Sequence, residues 1–262
     1  MAHVVALYRY PVKGFTPESR DALTILPEGR VAGDRVLGFR FANSAAPDEA
    51  WSRKYDFVAL VNTPGIARLN VRFGHETRRL RIVADGAVLA DEAIDGGGRR
   101  CIAEAVACFV CALDENPLSA HPERLPLRLV GDGVTPRYQD NDAGQITLHS
   151  RASLASVALA VGDPGLNELR FRSNIVIDGV DLWEEQTWVG RKLQIGKLCF
   201  DVVKPKVRCL ATHANPQTGS RDLPILATLK NVFAQEQPTF AVALMTSGVG
   251  GSIRVGDEVS LV

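Results

Sequence analysis

Apolar residues along the chain recur at two periods. Over most of its length they form short alternating runs: "HVVALYRYPV", "RVLGFRFA", "LNVRF", "RLRIVADGAVLADEAI", "LPLRLV", "QITLHS", "NIVIDG", "KLQIGKLCFDVV", "TFAVALM" and "IRVGDEVSLV". The runs are rich in β-branched residues, and Gly, Asp, Asn or Pro bounds most of them, as expected of short strands ended by turns. Asp85-Gly86 between two apolar runs predicts a tight hairpin, and Ile195-Gly196-Lys197 predicts another. Three segments follow the helical period instead. Arg99 to Leu113 puts Ile102, Val106, Phe109 and Leu113 on one face, and Ser153 to Val161 is shorter. Asp222 to Phe233 begins with Asp222 as N-cap and tolerates Pro224 in its first turn. Many short strands with few helices predict a mainly β chain, built as barrels or sandwiches rather than a doubly wound parallel sheet. The run Asp95-Gly96-Gly97-Gly98 marks the expected seam, dividing a strand-rich domain over 1–97 from a second domain over 98–262.

Composition narrows the class of partner. Thirty cationic and thirty anionic side chains cancel, so bulk charge supports neither a nucleic-acid nor a membrane-surface binder. No run of about eighteen apolar residues is present to span a membrane, and the apolar run at the N-terminus is too short for a signal peptide. Five cysteines, an odd number, fit a reducing compartment better than a disulfide framework, which makes a cytoplasmic location the expectation.

The cysteines divide into two kinds. Cys108 and Cys111 have CxxC spacing, but a structural zinc site needs a second ligand pair, and the sequence offers no other CxxC and no HxxxH. With Cys101 they fall at helical spacing among Ala, Val and Phe, which predicts core packing, as for Cys199 between Leu198 and Phe200. Cys209 differs. It follows Lys204, Lys206 and Arg208 in "VVKPKVRCLATHANPQTG", past a lysine-proline break, and nearby cations favour a thiolate, a nucleophile and soft metal ligand. Lys13 and Gly14 lie at a turn where a lysine and backbone N–H groups could hold a phosphate. Arg35, Arg53 and Lys54 follow other β-type breaks, and Arg170, Arg172 and Asn174 stand just before an apolar strand; arginine suits bidentate anion contacts. Each alone reads as a solvated surface cation; together they matter only if the fold brings them to one place. His149 near Ser150 and Ser153 hints at hydrolase chemistry without a GxSxG elbow. His213 could pair with Cys209, and Glu184 and Glu185 sit between Trp183 and Trp188 as a turn.

These separated stretches fall together in one resemblance. "YPVKG", "GDRVLGF", "WSRK", "LHSRASLASV", "RFRSNIVIDG", "WEEQTWVGRKLQIG", "VVKPKVRCLATHANPQTG" and "IRVGDEVSLV" occur in that order across nearly the whole chain. The chain resembles the MOSC family (molybdenum cofactor sulfurase C-terminal), in particular its amidoxime-reducing and bacterial stand-alone members. The resemblance implies a β-barrel MOSC domain packed on an N-terminal β-barrel-like domain, with a cleft between them for the molybdenum cofactor, molybdopterin. It implies Cys209 as molybdenum ligand, and Lys13, Gly14, Arg35, Arg53, Arg172, Asn174, Ser150 and Ser153 as cofactor contacts. It further implies reduction of small N-hydroxylated or N-oxide substrates with electrons from a separate protein. The alternative it leaves open is a persulfide or cofactor carrier using Cys209, and a third is a fold holding another phosphorylated ligand; pyridoxal phosphate is associated with the family at large. Three departures stand out: Gly14 for the family's serine, Ser173 for the proline of its "FRPN", and "KPKVRC" for "KPCSRC".

Overall fold

The computed structural model describes residues 1–246 and 248–262. Its N-terminal strand β1 (Ala2–Arg9) is followed by the short β2 (Glu18–Arg20), β3 (Ala22–Ile25) and β4 (Gly38–Arg40). A meander β5 (Leu69–Gly74), β6 (Arg79–Ala84), β7 (Ala87–Ala93) leads into helix α1 (Gly96–Cys111) and strand β8 (Arg128–Val130). Next come β9 (Ile146–Ser150), α2 (Arg151–Val161), β10 (Ile175–Asp178), β11 (Lys192–Ile195) and β12 (Leu198–Val207). Helix α3 (Ile225–Asn231), β13 (Thr239–Thr246), β14 (Gly251–Arg254) and β15 (Glu258–Leu261) complete the chain.

Seven strands close into a barrel in the order β1-β10-β9-β13-β12-β11-β15, with β15 returning to β1 and β2 appended at the edge. An odd number of strands cannot close with every neighbour antiparallel. The single parallel pair is β9–β10, joined by the α2 crossover, as parallel neighbours require. Alternating residues of the strands, among them Val4, Leu7, Leu148, Ile177, Leu193 and Phe200, fill the interior. Both expected hairpins are present. Asp85 and Gly86 both have φ near the left-handed region, at 48° and 85°, as a two-residue turn between β6 and β7 demands, and Gly196-Lys197 joins β11 to β12.

Strand β12 departs from the expected break at Lys204-Pro205-Lys206. Two register shifts, between Val202 and Lys204 and between Pro205 and Val207, absorb the proline and carry the strand to Val207. Cys209 lies two residues beyond the bulged end of this strand.

The remaining chain forms a second core from β4, the β5–β7 meander, α1 and β8. Its sheets, of three and two strands, do not close into a barrel. Packing also changes elsewhere than at 97/98: β1 belongs to the barrel, while α1 lies on β7 and β8, in the core that also holds Leu118 and Leu127. The glycine run is the start of α1, with the Asp95 carboxylate accepting from Gly98 N, rather than a linker. Ile102, Val106 and Val110 face inward, and Cys101, Cys108 and Cys111 all point to solvent, so the expected burial of these cysteines is overturned. Cys199 is only partly buried. Helix α3 starts three residues later than expected. Asp222 caps nothing there; its carboxylate accepts from both Arg170 Nη2 and Asn215 Nδ2. No helix among the described residues is long and apolar enough to cross a membrane.

Candidate functional site

The segments carrying Lys13 and Arg35 run side by side. Lys13 N donates to Leu37 O, Arg35 N to Tyr10 O, and Val12 bridges Leu37 in parallel. Arg35, in the left-handed region at φ 53°, turns its guanidinium over the Tyr10 ring, and Arg172, at φ 52°, covers the same ring at 4.2 Å. Asp34 holds this corner: its carboxylate accepts from Tyr10 N at 2.7 Å and pairs with Arg35. Lys13 is 2% exposed and donates to Tyr138 O, Gln139 O and the Asp140 carboxylate. Trp51 Nε1 also donates to Gln139 O, which brings Arg53 and Lys54 to the same rim.

Cys209 stands at the centre. It precedes a short turn, Leu210–His213, pinned by Thr212, whose N and Oγ1 both donate to Cys209 O at 3.0 Å. Its side chain borders three adjoining cavities. Lys13, Gly14, Arg35 and Arg172 share one with it; Arg53, Lys54, Lys206 and Arg208 share another, of about 340 Å³. Besides Asp34 behind Arg35, the carboxylate set against these cations among the described lining residues is Asp140, whose side chain is 56% exposed. Desolvation pushes that carboxyl upward, but Lys13, Arg35 and Lys206 together hold it below the usual range. Burial pushes the Arg172 guanidinium down to about 10 and also lowers Lys13 and Arg208. Arg172 Nη2 and Arg208 Nε are buried without a hydrogen-bond partner. Desolvated donors of one sign without partners call for an anion.

Burial likewise pushes Lys206 down to about 8. Below that pH its ammonium adds to the cationic cleft; above it the charge is lost. Affinity for inorganic pyrophosphate is therefore expected to fall as pH rises through about 8, by roughly 3- to 10-fold. Lys206→Arg, charged throughout, should flatten the profile in isothermal titration.

The family model described as "MOSC domain" matches residues 135–260. Over that stretch, just under half of its length, the chain is similar to MOSC domains. Human mitochondrial amidoxime reducing component 2 is 30% identical over 158 residues, a match covering 56% of this chain and 40% of that relative. Molybdenum cofactor sulfurase of Caenorhabditis briggsae is 35% identical over 78 residues, covering 30% of this chain and 11% of its own length. The matches thus span well under half of these relatives. Among solved structures, the YuaD protein of Bacillus subtilis aligns over 98% of this chain and 93% of its own, with 11% identity and a TM-score of 0.42.

Four expected contacts of this chain fall differently. Ser150 and Ser153 are fully buried away from the cleft: Ser150 caps α2 by accepting from Ser153 N, and both hydroxyls donate to the Glu185 carboxylate at 2.9 and 2.8 Å. Asn174 is 2% exposed and is occupied by Tyr8 O, Thr147 N and Asp34, so it braces the Asp34 corner from behind. Gly14 lines the cleft through its backbone alone. At φ 86° its Cβ would lie 2.9 Å from Ala59 Cα, so a side chain here would meet the Ala59 backbone, and this backbone path favours the glycine that replaces the family's serine. His149 has both ring nitrogens buried without partners and is pushed by burial down to about 3, a neutral core ring beside Phe171 and Phe240 rather than a base. His213 accepts from Leu226 N at the start of α3 and does not pair with Cys209.

Glu185 was legible only as one of two carboxylates in a turn, yet it is 0% exposed. Glu185→Ala would strand Ser150 N and two hydroxyls, and is expected to cost about 2–4 kcal/mol. Urea melts check this, with Glu185→Gln expected to recover about half. Asp140 and Tyr10 were missed altogether. Tyr10 lies inside the matched "YPVKG" motif and its aromatic face carries two arginines, whereas Asp140 has no local signal.

Proposed function

We propose that this chain binds the molybdenum cofactor with Cys209 as its protein thiolate ligand, and reduces small N-hydroxylated or N-oxide compounds with electrons from a separate protein. The observation that supports this most directly is the single cysteine at the meeting point of three cavities lined by Lys13, Arg35, Arg53, Arg172, Lys206 and Arg208. The residues fit the group. Among the described residues no cluster of three or more His, Cys, Asp or Glu could cage a bare ion, so a metal here needs one soft protein ligand and a cofactor that brings the rest. Cys209 offers that ligand, and the unpartnered Arg172 Nη2 and Arg208 Nε suit an anionic pterin phosphate and dithiolene.

When bound, the cofactor supplies a two-electron centre able to accept an oxygen atom. The chain's own residues do the rest. Arg35 and Arg172, stacked on Tyr10, hold a fixed cationic wall; Lys13, anchored on two carbonyls, fixes its depth. Reduction of an N–OH bond consumes two electrons and two protons and releases water. Lys206 Nζ, with its proton exchanging near pH 8, is the cleft group suited to deliver one.

The test is molybdenum and pterin per chain after expression in a host that makes the cofactor, then turnover of an N-hydroxylated substrate with an artificial one-electron donor. About one molybdenum per chain with turnover is expected; absence of metal overturns the reading. The match to a molybdenum cofactor sulfurase keeps a second reading in view, a sulfur or cofactor carrier. A persulfide on Cys209 by mass spectrometry, without turnover, would select it.

A further inference from the structure

The solvent side of helix α1 carries chemistry that its packing does not explain. The inward side is complete without cysteine: Ile102, Ala103, Val106 and Val110 are buried in the N-terminal core. Cys101, Glu104, Cys108 and Cys111 recur at helical spacing on the outer side, and all four are exposed. Free cysteine is among the most buried residue types, yet three of the five cysteines stand in solvent on this one helix. The face is also separate from the cleft, since no residue of α1 lines any of the three cavities around Cys209.

Two of the three are neighbours. Cys108 and Cys111 lie one turn apart at the end of α1, where the helix is still closed: Ala112 N donates to the carbonyls of Cys108 and Phe109. Helical residues three apart hold their Cβ atoms about 5–6 Å from each other, while a disulfide needs roughly 3.5–4.5 Å. The pair therefore cannot close on itself without distorting the helix, and its span suits two sulfurs with an ion between them. Cys101 lies seven residues earlier, about 10 Å along the axis, and is out of reach. Among the described residues no group of three or more His, Cys, Asp or Glu is placed to hold one ion. Zinc and iron–sulfur clusters, which take four protein ligands, are not served by such a pair. Of the ions that thiolates select, copper(I) is the one that two sulfurs satisfy, because its filled d shell and single charge favour linear coordination. The surroundings favour a cation. Glu104 stands one turn before Cys108 and Asp114 just past the helix, while Arg100 is two turns away and Arg68, over the Phe109 ring, is paired with Asp85.

We propose that Cys108 and Cys111 form a copper(I) site on the outer face of α1, separate from the cleft and independent of the reductase reading. Binding is ligand exchange with no change of oxidation state. Copper(I) held by two molecules of a small thiol such as glutathione passes to the pair. Two Cu–S bonds break and two form, and the protons released by Cys108 and Cys111 go to the departing thiolates. The product is one ion bridged between two thiolates on a rigid turn, open to solvent on its outer side. Such a site takes up and releases copper rather than burying it.

The experiment is an oxygen-free titration of the full-length, reduced protein with copper(I), using bicinchoninate as the coloured competing chelator. About one copper(I) per chain is expected to leave the chelator for the protein. Cys108→Ser and Cys111→Ser should each weaken that binding by roughly 100-fold or more. Both positions are exposed, so the melting temperature should stay within about 2 °C of wild type. Cys101→Ser and Cys209→Ser should keep the affinity within about 3-fold, being outside the pair. X-ray absorption of the loaded protein should show two sulfur neighbours, and its elution volume in gel filtration should not change. Copper that stays on the chelator, that is lost with Cys101 or Cys209 instead of the pair, or that joins two chains into a larger species would each overturn the proposal.

Discussion

Cys209→Ala is expected to leave a folded protein that retains less than a tenth of the wild-type molybdenum per chain. The side chain is partly exposed and makes no capping hydrogen bond at its turn, so truncation should shift the melting temperature by less than about 2 °C, since small surface losses stay near 0.5 kcal/mol. What disappears is the one soft donor. Serine is the sharper comparison, because it keeps shape and polarity but offers a hard, protonated oxygen; Cys209→Ser should lose the metal as fully as alanine does. The cationic wall is untouched in both variants, so pterin should be retained better than metal, and the pterin-to-molybdenum ratio should rise several-fold. Elemental analysis and fluorescence of the oxidised pterin measure both on one sample. Molybdenum at the wild-type level in either variant would remove Cys209 from the role of ligand.

The site shows which parts of such an arrangement a sequence can reveal. Lys13 and Cys209 were legible because each follows a strand, and Arg35 and Arg172 because each stands just before one, and the fold brings all four to one cleft. Ser150, Ser153 and Asn174 carry the same kind of local signal. They face inward because the Glu185 carboxylate and the Asp34 corner need their hydroxyls and amide. Motif order cannot tell a group that touches a ligand from one that braces the wall behind it, since both lie in the same stretch. Asp140 shows the opposite limit: it reaches Lys13 across 127 positions, a partnership that no local pattern encodes.

Element type was more legible than element boundary or face. Alternation identified the barrel strands, yet closure depended on the parallel β9–β10 pair, a long-range choice. Helical spacing in "RRCIAEAVACFVCAL" was read correctly but rotated: Val110 rather than Phe109 became fully buried, and the cysteines turned outward. Cysteine is apolar enough for either face, so its presence could not fix the rotation. The register of the N-terminal core decided it, through Ile102 and Val106 against β7 and β8.

The largest stability effect is expected at Arg40, whose side chain is 0% exposed. Its Nη1 donates to Ala46 O and Pro47 O, its Nη2 to Ala50 O and Ser52 Oγ, and its plane lies 4.9 Å from the Phe57 ring and 5.7 Å from Tyr138. One guanidinium thus supplies four hydrogen bonds to the loop over residues 46–52, beside the one that Tyr138 donates to Asp48 O. Arg40→Ala leaves those acceptors unpaired and a cavity between two aromatic rings, and should cost about 3–5 kcal/mol. For a chain of this size that corresponds to a fall of roughly 6–15 °C in melting temperature. Arg40→Met fills the volume without restoring a donor and should recover less than half of the loss, while Arg40→Lys, a point charge with no planar fork, should do little better. The contrast is Arg128, which pairs with Asp48 at the exposed side of the same loop; Arg128→Ala should cost under about 1 kcal/mol. Because Trp51 ends this loop and donates to Gln139 O beside Lys13, Arg40→Ala should also disturb the tryptophan emission and weaken pyrophosphate binding in the cleft. An Arg40→Ala protein within 1 kcal/mol of wild type in urea would show that the loop is held by something other than this guanidinium.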